Sequence, residues 1–369
     1  MRMTKYWISI FTILAMSMNI PSQVMAQSAD KNKDYTGAIK KYDASFKGIG
    51  PEVYYLPPPK TANEILVENY ADKKPFSKEI ARRLLLQRLL LQLRSTNNLG
   101  HFQYLMNPIP STANSWNDAI EGQKKAQNWI AGYALSNEAA LFSIKNNDSS
   151  NASKFLYQAL SLANRTDNRD DIATINMNIS NFQLYSGDFV RAEESAQNYH
   201  TYAMTSKSYA EQANAWLLIA MARAGQGNFK TAENNIIRSA IPLFNKAKAY
   251  EGKIFAWEML AEIYFKQNKF TEAQWFLLQA RDLANAKKLS SELAEIEYLL
   301  ASSKQKDGNY KVAIKEFVQA AELASDENNK QLSLAILDKL GEVYLVLKDY
   351  PSADQTYKAY TQLKNELYN

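Results

Sequence analysis

The chain has 369 residues, 46% apolar and 22% charged, with a formal net charge of +5, a composition that excludes disorder over most of its length. It has no cysteine and only two histidines, His101 and His200. That excludes disulfides, thiolate chemistry, iron–sulfur clusters and Cys-ligated zinc, and leaves too few imidazoles for a His-rich metal site.

In chain order, Arg2 and Lys5 precede an apolar stretch from Trp7 to Met18, which Pro21 ends and Val24-Met25-Ala26 follows. A short positive start, a short apolar core and modest side chains at the exit make a secretory signal, with cleavage expected after Ala26. The stretch is too short to span a bilayer comfortably, which disfavours an uncleaved anchor. No cysteine follows it, which excludes a lipoprotein anchor, and no later stretch offers 18 apolar residues for a span. The expected location is exported, periplasmic or extracellular. Removing residues 1–26 leaves 41 − 38 = +3 charges, a nearly neutral balance that gives no support for nucleic-acid binding.

Residues 27–60 are polar and end in Pro57-Pro58-Pro59, a triplet that favours an extended linker or arm. Residues 61–125 are expected to form a small helical cap. Thr61 with Glu64 three residues on has the form of a capping box, and Ser77 with Glu79 has the form of a second N-cap. The stretch after Ser77 carries seven leucines between Leu84 and Leu93, with Arg82, Arg83, Arg88 and Arg94 interleaved. A helix apolar nearly all round is expected to be buried, here over the first repeat. The competing reading is peripheral contact of residues 78–94 with a membrane surface.

Residues 126–369 repeat. An alanine recurs at Ala152, Ala192, Ala232, Ala273, Ala313 and Ala353, in steps of 40, 40, 41, 40 and 40. Three residues before it stand Ser149, Phe189, Phe229, Phe270, Tyr310 and Tyr350; twelve before it stand the small residues Ala140, Ser180, Ala220, Ala261, Ala301 and Gly341. Seven residues after it come Ala159, Tyr199, Ser239, Ala280, Ala320 and Tyr360. Small residues on successive helices let the two approach closely, and Gly187, Gly227 and Gly308 free the backbone to reverse between them. Each unit is expected to be a helical hairpin that needs its neighbours to bury its apolar face.

The series Trp257, Leu260, Ala261, Tyr264, Ala273 resembles the tetratricopeptide repeat (TPR) family position by position. Six tandem matches cover two thirds of the chain. The period near 40 is longer than the family's usual one, and the proline closing the second helix is replaced by Asn164, Met204, Phe244, Asn285, Ser325 and Asn365. The resemblance implies an all-α, right-handed superhelical solenoid of antiparallel hairpins in which the first helix of each lines a concave groove. The implied lining residues include Asn137, Asn181, Tyr185 and Asn214 in repeats one to three, and Phe255, Glu258, Glu262, Glu295, Tyr298, Asp338 and Glu342 in repeats four to six.

Asparagine amides both donate and accept, so the first group suits an extended peptide backbone. The carboxylates of the second suit a basic segment. The expected function is a non-enzymatic scaffold binding a peptide or protein, without cofactor or metal. A sensor or envelope-assembly factor acting through a separate partner is the alternative. A carboxylate hydrolase is disfavoured, because acids such as Glu258 and Glu262 one turn apart are ordinary helix charge, and no G-x-S-x-G or H-E-x-x-H motif is present.

Overall fold

A computed structural model describes residues 59–368; the expected signal peptide and nearly all of the expected linker lie outside the described residues. The described residues form sixteen α-helices and no strand. Three precede the repeats: α1 (Ala62–Asp72), α2 (Lys74–Gln92) and α3 (Ala113–Lys125). Six hairpins follow. They are α4 (Trp129–Lys145) with α5 (Ser149–Ala163), α6 (Arg169–Ser186) with α7 (Phe189–Thr205), and α8 (Tyr209–Gly225) with α9 (Phe229–Asn235) and α10 (Ile241–Ala247). Then come α11 (Tyr250–Lys266) with α12 (Phe270–Lys287), α13 (Ser290–Lys306) with α14 (Tyr310–Asp326), and α15 (Lys330–Val346) with α16 (Tyr350–Tyr368). Consecutive helices pack on one another, giving a TPR-like all-α solenoid.

The recurring small residues explain the hairpins. All six alanines from Ala152 to Ala353 are fully buried, and so are Ala140, Ser180, Ala220, Ala261 and Ala301 on the facing helices. At the sixth hairpin the small residue is Gly341, where any Cβ would strike the Tyr70 side chain of α1. Each turn inside a hairpin reverses through a left-handed residue: Asn147, Gly187, Gly227, Asn268, Gly308 or Lys348. First and second helices differ in what they bury. α8 is buried nearly all round, from Ala213 to Ala224, whereas α14 buries only the stripe Ala313, Phe317, Ala320 and Ala324. A helix buried all round has neighbours on every side, and a striped one faces solvent.

The single 41-residue step has a local cause. Between α9 and α10 the backbone makes one π-helical stretch, Ile236–Ala240, which accommodates an extra residue without breaking the helix. Beyond it the buried stripe moves by one place: Ala240 is fully buried where Ser239 was expected, and Phe244 is buried at the place held by Ala203 and Ala284 elsewhere.

The N-terminal helices depart from the expected cap. The capping box of Thr61 and Glu64 forms at α1. Ser77, however, lies inside α2, which begins three residues earlier with Pro75 in its first turn. α2 packs on α4 of the first repeat, as expected, but also against α6 and α15, so it runs along the array from the last hairpin to the first. The first hairpin is covered on its other side by α3, whose buried Trp116 and Ile120 join the core of α4 and α5.

Candidate functional site: the inner face and the helix it holds

The stripe of first helices expected to line a groove faces α2 and the residues that flank it. Ile80, Leu84, Leu85 and Leu89 of α2 are buried in the same cores as the hairpins. Burying those four side chains stabilises by roughly 1.5–3 kcal/mol each. That burial leaves the apolar face of residues 78–94 unavailable to a lipid surface, which corrects the peripheral-membrane expectation. No helix among the described residues is long and apolar enough to cross a membrane.

The C-terminal half of the stripe holds charges. Asp338 on α15 accepts from Lys73 and, at 2.9 Å, from the Ser77 hydroxyl, both side chains of the ion pair being 4% exposed. Glu342 lies 3.8 Å from Lys73 and 3.1 Å from Lys339. Arg88, buried on α2, pairs with Glu295 of α13 and lies 3.9 Å from Glu262 of α11. Burial pushes the Arg88 guanidinium down in proton affinity, and the Glu262 and Glu258 carboxylates oppose this.

Glu258, one turn before Glu262, is almost fully buried, and its Oε1 has no hydrogen-bond partner among the described residues. Burial, with Glu292 and Glu262 nearby, pushes its carboxyl well above the usual range, against the pull of Arg88. Lys266 is pushed down to about 8 by burial, against the pull of Glu262. Phe255 and Tyr298 are buried, the latter tilted against Phe317 with ring centroids 6.1 Å apart.

The N-terminal half holds main chain. After Leu93 the chain leaves the helix in extended conformation. The carbonyl of Arg94 accepts from Asn137 Nδ2 at 3.0 Å and from Asn178 Nδ2 at 2.7 Å, and its amide donates to Asn178 Oδ1 at 3.0 Å. Asn178 Nδ2 also donates to Asn137 Oδ1 at 2.9 Å, which orients both amides. The next contacts are Asn97 N–H to Asp171 at 2.7 Å and Arg94 Nη1 to Glu211 at 3.1 Å. Glu211 also accepts from the buried Tyr199 hydroxyl, and burial with the adjacent charge pushes that phenol far up. Asn181 turns its amide to the carbonyl of Met177 on its own helix, and Tyr185 packs partly buried against both large cores. Asn214 is 5% exposed and its Oδ1 has no partner among the described residues.

Of the expected residues, therefore, Asn137, Glu262, Glu295, Asp338 and Glu342 meet on the chain's own residues 73–94, while Asn181, Phe255 and Tyr298 are engaged within the hairpins. Asn178, Asp171 and Glu211 were missed. Asp171 and Glu211, with Glu292, stand nine residues before the small positions Ser180, Ala220 and Ala301. This is one helical turn beyond the six-residue offset at which the expected stripe stopped, and helices of 17 or 18 residues carry the stripe that far. The histidines take no part. His101 lies in the 3₁₀ stretch Asn97–Met106, and His200 meets Trp216 edge-on with centroids 4.7 Å apart, burial lowering its basicity.

No protein-family model matches the sequence, and no curated protein is similar to it in sequence. Solved structures are similar in fold. A Rap protein complexed with competence and sporulation factor superposes with a TM-score of 0.51 at 12% identity, over 83% of this chain and 99% of that one. Aspartyl phosphate phosphatase F from Bacillus subtilis gives 0.53 at 11%, over 83% and 84%. A STAND protein with a tetratricopeptide repeat sensor from Pyrococcus horikoshii gives 0.52 at 13%, over 83% of this chain and 44% of that one. At these identities the likeness concerns the fold: the chain is a TPR-like helical-repeat solenoid.

Proposed function

We propose that this protein is an exported, non-enzymatic interaction scaffold whose inner face receives a basic segment of a partner protein beside α2. The observation that carries the reading is the inner face itself. First helices of all six hairpins contact one continuous stretch, from Lys73 to Asn97, through ion pairs on one side and amide-to-backbone bonds on the other. The same chemistry that reads this stretch in cis suits a second basic or extended segment in trans. One structural neighbour was seen in complex with competence and sporulation factor, which fits a binding role for such a solenoid.

Displacement of α2 by a partner is disfavoured on magnitude. Four buried aliphatic side chains account for roughly 6–12 kcal/mol, comparable to the whole binding energy of a micromolar complex, about 8 kcal/mol. The partner therefore adds to the face rather than replacing its helix. The test is site-specific photo-crosslinking of the full chain in its native host. Probes replace Lys145 or Lys306 at the inner rim, and Val190 or Trp275 on the exposed outer side. A discrete protein adduct from the inner positions supports the reading; adducts from the outer positions alone, or none, overturn it. N-terminal sequencing tests export separately, with Gln27 as the expected first residue.

A further inference from the structure

The seam between the first and second hairpins lacks two side chains that fill its counterparts. Three residues before the recurring alanine, five hairpins carry a ring, Phe189, Phe229, Phe270, Tyr310 or Tyr350, and the first carries Ser149. Where the ring is present it fills the joint with the next hairpin. Phe189 lies directly on Gly225 of α8, where any Cβ would strike it, and Phe229 and Tyr310 pack against the same core.

The second departure stands one residue after the alanine. At the next three seams this position reaches the following hairpin: Glu193 accepts from Arg223 Nε at 2.8 Å, Glu233 accepts from the Tyr264 hydroxyl, and Gln274 Oε1 accepts from Lys304 Nζ at 2.6 Å. The first hairpin has the shorter Ser153 there. Gln183, at the place of Arg223, Tyr264 and Lys304, donates instead to the Tyr157 hydroxyl at 2.8 Å.

Both losses open on the same place. Ser149 and Ser153 line a cavity of about 220 Å³ between α5 and α6, with the buried Leu156, Ile179 and Phe182 as its apolar wall. That volume is below the roughly 300–1,000 Å³ that holds a whole small ligand. It exceeds the roughly 150 Å³ in which an apolar cavity holds a benzene ring. At the exposed rim stand the ion pair of Asp188 with Arg191, at 2.5 Å, and Tyr157, 41% exposed. One ring fits inside, and whatever carries it lies outside, against a surface of mixed sign.

We infer that this cavity receives an aromatic side chain, tyrosine or phenylalanine, from a partner polypeptide. The ring completes the first seam as Phe189 and its counterparts complete the others. An aromatic side chain seated in a pocket is the kind of group that dominates a protein–protein contact. The balanced charges of Asp188 and Arg191 suit the neutral, hydrogen-bonding main chain on either side of it. The inference goes beyond the inner-face reading and does not rest on it, since crosslinking reports on the inner rim and the following titration reads ring binding at this seam.

The full chain is titrated with N-acetylated, C-amidated Gly-Tyr-Gly, Gly-Phe-Gly and Gly-Leu-Gly and with p-cresol, binding being read by saturation-transfer NMR. At least one of the two ring peptides binds, and the leucine peptide binds about tenfold more weakly or less. Ser149→Phe fills the cavity from within. Ser149 is exposed and its position holds a ring in the five other hairpins, so the variant keeps the circular dichroism spectrum while ring binding falls about tenfold or more. If that variant fails to fold, Ser153→Glu, which matches Glu193 of the second hairpin, carries the same test. Lack of binding by both ring peptides, equal binding of the leucine peptide, or unchanged ring binding to the folded variant overturns the inference. So does tighter binding of p-cresol than of either ring peptide, which would mean a site for small phenols.

Discussion

In the first two hairpins the inner face grips the chain by its main chain, at Arg94 and Asn97, whereas in the last four it grips Arg94, Arg88 and Lys73 by their charge. Amide-to-backbone contacts are indifferent to side-chain identity and to pH. Charge contacts inside a protein depend on the balance of signs, and around Arg88 that balance is uneven, with Glu258, Glu262 and Glu295 near one guanidinium. The amide half thus fixes register and direction, while the acid half carries most of the electrostatic risk.

The strongest way to break this contrast is Arg88→Ala. Removing one partner of a buried ion pair leaves carboxylates uncompensated, and a loss of about 3–5 kcal/mol is expected in urea unfolding. A loss below about 1 kcal/mol would mean that the acid half does not hold α2 by charge. Asn178→Ala probes the other half. It orphans the partly buried amide of Arg94, so about 1–3 kcal/mol is expected, with the same value at pH 5 and pH 8. A loss that changes with pH would erase the distinction.

Glu258→Gln sharpens it by sign. Burial pushes this carboxyl well up in the folded protein, while the unfolded chain releases the proton above its ordinary value of 4.5. The native state therefore binds more protons, and wild-type stability falls as pH rises above 4.5 towards the raised folded value. The variant should be more stable than wild type at pH 8, with the gap closing below pH 4.5, as followed by unfolding across that range. The smallest effects concern turns. Gly227 and Lys348 both have left-handed backbone, with φ of 85° and 60°. Gly227→Ala should cost about 1 kcal/mol, while Lys348→Gly should gain less than about 1 kcal/mol, relief of strain being partly offset by a freer unfolded chain. Melting temperatures of the two variants check the pair.

Much of the fold was legible because its chemistry recurs: Ala152 and its five counterparts announce the hairpins, and Gly187, Gly227 and Gly308 their turns. The π-helical stretch left only a 41-residue step in the sequence, so Ser239 stood for the buried Ala240. Residues of the inner stripe were legible by spacing, but not what they face. The contact of Lys73 with Asp338 spans 265 residues and obeys no period, so nothing local distinguishes a helix laid along six hairpins from one laid over the first. The leucines of α2 announced burial, and only the fold says against what.

That long closure also has a consequence in time. Lys73 emerges from the ribosome well before Asp338, and at about 5–20 residues per second the 265-residue separation amounts to roughly 13–50 s. Throughout that interval the leucine face of α2 has no completed groove to enter. α2 is thus among the first helices made and among the last to be fully housed, its leucine face waiting until hairpin six arrives.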